Sequence, residues 1–171
     1  MSDRGAGTDV PPADMWAERL KERIYASLTL LAVLVGLTQG RDPSHLGAAV
    51  SVAVTALGLW LATLVADFQA HPVVHGTHVT ARETRRLLFT SAPLLTSAIG
   101  PLVLIGLSAL GALPLTTALW ISVGSEVAAL AAWGTVGGRR LGARPLSAML
   151  GGALNAMIGL GVVAVKLLAG H

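Results

Sequence analysis

LGAAVSVAVTALGLWLATLVA, residues 46–66, runs for 21 residues without a charged side chain. At about 1.5 Å rise per residue, a helix of that length spans about 30 Å, the thickness of a bilayer's hydrocarbon core. Lipid offers the backbone no hydrogen-bond partners, so a lone apolar run of this length must satisfy its own N–H and C=O groups as a helix. Outward from it, further apolar runs cover 24–39, 87–110, 114–133 and 146–169. Composition agrees: 53% of residues are hydrophobic, 12% are charged and the mean hydropathy is +0.69, whereas a soluble domain carries about 25% charged residues. The fold class is therefore read as all-α, a polytopic membrane protein with a bundle of five transmembrane helices. Residues 14–171 form a single membrane domain, and residues 1–13 (MSDRGAGTDVPPA) read as a disordered cytoplasmic tail.

The first run is the short one. Its mostly apolar part, Ile24 to Leu37, has 14 residues, and an interfacial helix is the alternative. Charge decides between them. With five spans, segments 1–23, 67–86 and 134–145 share one side and hold ten basic residues: Arg4, Arg19, Lys21, Arg23, Arg82, Arg85, Arg86, Arg139, Arg140 and Arg144. The other side holds Arg41 alone, with Lys166 inside the last helix near its outer end, where its ammonium reaches the head groups. With four spans the basic residues divide five against six. Cytoplasmic loops concentrate Arg and Lys, so five spans follow, with the N-terminus in and the C-terminus out.

Asp14 is a candidate helix N-cap, and Trp16, Leu20 and Ile24 share one helix face, so the first helix is expected to start in the interface and run into the membrane. Thr80-Ala81-Arg82-Glu83 has the form of a capping box and predicts a helix start near Ala81. The polar start, with acidic and basic groups over 23 residues, is unlike a cleavable signal peptide. Cysteine is absent, which excludes disulfides and thiol chemistry. Ten arginines against two lysines, with abundant Ala and Gly, match a GC-rich bacterial genome and place the chain, as an expectation, in a bacterial inner (plasma) membrane. The basic pI near 10.2 belongs to topology rather than to nucleic acid, and no cofactor motif is present.

Glu126 is the one acidic residue well inside a span. An ionisable group at that depth costs a few kcal/mol and should face protein or water. Counting from the inner helix ends puts Glu126, Asn155 and Ser97 at one depth, roughly 13–14 Å in. Pro101 removes the bond normally made to the carbonyl of Ser97, so a hydroxyl, an amide, a carboxyl and a free carbonyl are expected to form a mid-membrane polar layer. Two readings stay open: Glu126 bonded to Asn155 as a tie between helices, or a transport or proton-relay site. Small residues recur four apart, at Gly124, Ala128 and Ala132 and at Ala148, Gly152 and Ala156, and predict close helix contacts within one chain or in a homo-oligomer. Asp67, His71, His75 and His78 share the inner loop. Their ligand types suit a divalent metal, with a solvated polar loop as the other reading, and Pro72 and Gly76 predict that the segment is not a continuous helix.

The stretch TVGGRRLGARPLSAMLGGALNAMIGLGVVAVKLLAG (Thr135–Gly170) resembles the final loop and helix of the vacuolar iron transporter (VIT) family, as does LVADFQA (Leu64–Ala70) its second helix. That resemblance implies a dimeric exporter of iron and manganese in exchange for protons. The family's first helix carries an acidic transport residue, whereas Ile24–Leu37 has none, so no family metal ligand carries over. ERIYASLTLLAVL (Glu22–Leu34), LWLATLVADF (Leu59–Phe68) and VKLLAG (Val165–Gly170) resemble the small five-helix membrane proteins common in GC-rich bacteria, which implies the fold and no activity. The expectation is a structural or interaction component of a membrane complex. A VIT-like divalent metal cation transporter built around Glu126 is the alternative. No catalytic residues are expected: no serine–histidine pair, paired carboxylates or zinc-protease spacing lies within the spans.

Overall fold

A computed structural model describes residues 13–40, 43–75, 81–140 and 142–170, with side chains throughout except at 13–15, 71–75 and 81–82. The described residues form six helices and no strand: α1 (Ala13–Thr38), α2 (His45–His75), α3 (Ala81–Thr96), α4 (Ile99–Ala109), α5 (Leu115–Arg140) and α6 (Pro145–Ala169). The tail expected over residues 1–13 lies outside them apart from Ala13, where α1 begins. Among the described residues, four segments are long and apolar enough to cross a membrane: His45–Ala70, Glu83–Ala109, Leu115–Arg140 and Pro145–Ala169.

The fifth candidate, α1, is shorter in its apolar part for a reason that packing supplies. Leu30, Leu31, Leu34 and Val35 are completely enclosed, at 2% exposure or less. Helices α2, α3, α5 and α6 all pack against α1. A helix surrounded by protein needs no lipid-facing apolar coat, so polar residues such as Ser27 fit where lipid would reject them. By contrast, α2 buries only the narrow line Ala48, Val52, Ala56 and Leu64, while Leu46, Val50, Val54, Leu57, Leu61 and Val65 point outward. An apolar outer surface of that kind fits lipid rather than water.

The third apolar run is one membrane-length segment in two pieces. Ser97 N–H still bonds the Pro93 carbonyl at 3.0 Å, Ala98 N–H bonds Leu95 at 3.2 Å, and Leu102 N–H bonds Ala98 at 3.0 Å. Pro101 has no N–H to offer the Ser97 carbonyl, and the helix breaks at residues 97–98. The Trp60 indole N–H donates to Ser91 Oγ at 3.0 Å and ties α2 to α3.

The closest helix contact is between α5 and α6. A Cβ added at Gly134 would stand 2.6 Å from Asn155 Nδ2 and 2.9 Å from Gly152 Cα, and one at Gly138 would stand 2.9 Å from Ala148 Cα. Only glycine permits that approach. The contact explains why α5 continues to Arg140, seven residues beyond the sequence-drawn end at Trp133, despite three glycines. Its end is a Schellman turn: Ala143 N–H reaches the Gly138 carbonyl at 3.1 Å, and Gly142 takes φ +74°.

One expectation is corrected. The segment after Asp67 was predicted not to be a continuous helix, yet α2 runs through Pro72 to His75. Pro72 stands within one turn of the helix end, so the bond it withholds from the Phe68 carbonyl leaves little helix beyond it to disrupt.

Candidate functional site

Helix α5 buries Ala118, Leu119, Ser122, Val123, Glu126 and Leu130, a stripe at helical spacing. Glu126 falls on that stripe and is 5% exposed. The stripe faces α1, so the groups around the carboxyl come from there. On α1, Ser27 and Arg23 are the groups that act on the Glu126 carboxyl, Ser27 through its hydroxyl and Arg23 through space. Arg23 is itself held: its Cζ sits 4.5 Å from the centroid of the Trp133 ring, two turns along α5 from Glu126. A carboxyl, a hydroxyl, a guanidinium and an indole thus couple α1 to α5, buried at Glu126 and Ser27 and half-buried at Arg23 and Trp133. A buried carboxyl is tolerable only with partners of this kind.

The other two members of the expected layer lie elsewhere. Asn155 packs against Gly134, about 12 Å along α5 from Glu126. Among the described residues no hydrogen bond joins Asn155 to Glu126. Ser97 is buried, but its Oγ donates to the Pro93 carbonyl of its own helix at 2.7 Å. Ser122 and Ser125 also turn to their own backbone, at 2.8 Å to the Ala118 and Ser122 carbonyls. Ser27 and Arg23 did not stand out in the sequence. The available signal was the need of Glu126 for a partner, but nothing in the spacing says which helix supplies it.

Of the small-residue faces, Ala148 and Gly152 are buried against α5, which answers with Ala131, Gly134, Thr135 and Gly138. Gly124, Ala128 and Ala132 remain exposed on the outer side of α5.

Asp67 of the histidine segment lies on α2 near Glu18 and Lys21 of α1. His71 and His75 belong to the last turns of α2 with side chains outside the described set, and His78 lies outside the described residues. Among the described residues no three His, Asp or Glu side chains are placed to hold a metal ion. Toward the N-terminus of α1, Lys21 forms ion pairs with Glu18 and with Glu22, the latter at 3.7 Å. Glu22 is 7% exposed, and burial raises its carboxyl above the ordinary 4.5, against the opposing pull of Lys21. At the opposite end of the bundle, Gln39 Nε2 donates to the Lys166 carbonyl at 3.1 Å, and His45 Nε2 meets Ser108 Oγ at 3.0 Å.

Comparison with protein-family models, characterised proteins and solved structures finds no match for this chain. The candidate site is therefore defined by its own geometry.

Proposed function

We propose that this chain is an integral protein of a bacterial inner membrane with five spans, N-terminus inside and C-terminus outside, and that its role is structural: an interaction component of a membrane complex. The charge distribution supports the topology, with ten basic residues on the inner segments. The observation that carries the structural role is the enclosure of Glu126 by α1, with Ser27 and Arg23 as its partners. A carboxyl occupied in joining two helices of one bundle is a tie. The exposed face of Gly124, Ala128 and Ala132 offers a place for a further helix, from a second copy or another subunit, to approach closely.

A second reading, a carrier that moves divalent metal cations against protons, has the broken α3–α4 span in its favour, because interrupted helices form ion sites in transporters. Reconstitution separates the two. Liposomes holding the purified protein are assayed for iron, manganese and zinc uptake, with Glu126→Gln alongside. The structural role predicts uptake equal to empty liposomes for both proteins and a change in unfolding stability only. Saturable uptake that Glu126→Gln abolishes would overturn it in favour of the carrier.

A further inference from the structure

The inner ends of α1 and α5 carry arginines that sit over aromatic rings of α1, α3 and α5 and that make no salt bridge among the described residues. Arg19 Cζ sits 4.2 Å from the Phe89 ring centroid and 5.9 Å from that of Trp16. Arg140 Cζ sits 3.9 Å from the same Trp16 ring. The contacts link Phe89 to Arg19, Arg19 to Trp16 and Trp16 to Arg140, two rings and two cations drawn from three helices. Among the described residues neither arginine makes a salt bridge. Stacking fixes the plane of a guanidinium and leaves its edge N–H groups directed outward, the geometry that takes two oxygens of a phosphate at once. Two cations on one indole also repel each other, a cost that an anion between them removes. Trp16 Nε1 is a further unmet donor: it is buried without a hydrogen-bond partner among the described residues, beneath the exposed side chain of Arg140.

We propose that Arg19 and Arg140, aligned on Trp16 and Phe89, bind the phosphodiester headgroup of an anionic lipid in the inner leaflet. The leaflet rests on the five-span reading above; the binding chemistry does not. Four features favour a lipid: aromatic residues beside the cations, a cation pair without a salt bridge among the described residues, exposed apolar side chains such as Leu88 and Val136 on the same helices, and the negative charge of the cytoplasmic leaflet. Positive-inside topology alone calls for arginines on this side but not for their stacking. Arg139, one residue from Arg140, is exposed and has no ring contact.

The test uses the full-length protein purified in a neutral detergent and titrated with phosphatidylglycerol, counting bound lipid by native mass spectrometry and following thermal unfolding. Arg19→Gln and Arg140→Gln are each expected to weaken the apparent Kd about fivefold, since one basic contact to an anionic headgroup has that order of effect. Arg139→Gln, with the same loss of charge and no stack, should stay within about twofold of the parent. Phosphatidylcholine should neither bind at these concentrations nor raise the unfolding temperature. Equal weakening by Arg139→Gln and Arg140→Gln would replace the site with diffuse surface charge and overturn the proposal. Competition by inorganic phosphate at concentrations comparable to the lipid would overturn the lipid assignment in favour of a free phosphate. Arg140 is exposed, so its variant is expected to fold; a parent-like unfolding temperature without lipid checks this. Because the titration is done in detergent, its failure leaves the topology standing. A topology found reversed would leave the binding standing and move it to the outer leaflet.

Discussion

Gly152→Ala tests the packing that holds the last two helices together. A Cβ at position 152 would fall on Thr135 Oγ1 and on the Ala131 carbonyl oxygen and stand 3.2 Å from the Thr135 nitrogen. Two of those three atoms are backbone and cannot rotate away, so α5 and α6 must part by roughly 1 Å to restore ordinary contact distances. The separation also loosens Gly138 against Ala148 and Gly159 against Leu130, because all three contacts lie on one seam. Overpacking of this kind costs about 1–3 kcal/mol. Alanine returns up to about 1 kcal/mol through its better helix propensity. The net expected loss is about 1–2 kcal/mol. Gly161→Ala, on the same helix, is the control: nothing lies within 4 Å of its added Cβ, and the variant should be neutral or up to about 1 kcal/mol more stable. The assay is reversible unfolding of the purified protein in mixed micelles, followed by far-UV circular dichroism as the denaturing detergent rises. If Gly152→Ala is as stable as Gly161→Ala, the α5–α6 seam described above is wrong.

Three further outcomes follow from named contacts. Glu126→Ala and Ser27→Ala, combined in a double-mutant cycle, should show a coupling of about 0.5–1.5 kcal/mol, and a coupling of zero would remove the tie between α1 and α5. Trp60→Phe keeps most of the ring but loses the 3.0 Å bond to Ser91, and should cost about 1 kcal/mol in the same unfolding assay; no loss would mean that the bond does not hold α2 to α3. Glu22 predicts a pH dependence. Its folded-state pKa is raised, so ionisation disfavours the fold, and stability falls as pH rises from the ordinary 4.5 through the raised value. Glu22→Gln should therefore unfold at a higher temperature than the parent at pH 8 and lose that advantage at pH 4. An advantage that grew toward low pH would show that the Lys21 pairs, rather than burial, govern this carboxyl.

The apolar runs were legible because a 21-residue uncharged run such as 46–66 permits few structures in any solvent, and the break before Pro101 follows from backbone chemistry, whereas the end of α5 was drawn seven residues short, at Trp133. What the sequence left open was pairing between elements. Helix ends drawn from the sequence put Glu126 and Asn155 at one depth, yet α5 runs on to Arg140, and Glu126 faces α1 while Asn155 faces Gly134, because helix length and the face that meets each neighbour depend on packing that no single helix encodes. The α1 run is short for the same reason: hydropathy measures suitability for lipid, and α1 is lined by other helices. Arg19 and Arg140 read as topology signals when counted, and only their placement over Trp16 and Phe89 marks them as a constellation.

In the proposed topology α1 crosses the membrane, so that the two ends of the bundle face opposite sides. The chain has no cysteine, so single cysteines introduced at the exposed positions Ala17 and Ala169 report without background. Each variant, expressed in bacterial cells, is labelled with a membrane-impermeant maleimide before and after permeabilisation. Five spans with the N-terminus inside predict labelling of Ala169→Cys in intact cells and of Ala17→Cys only after permeabilisation. Labelling of both from the same side would contradict that claim and leave α1 as a helix that does not span.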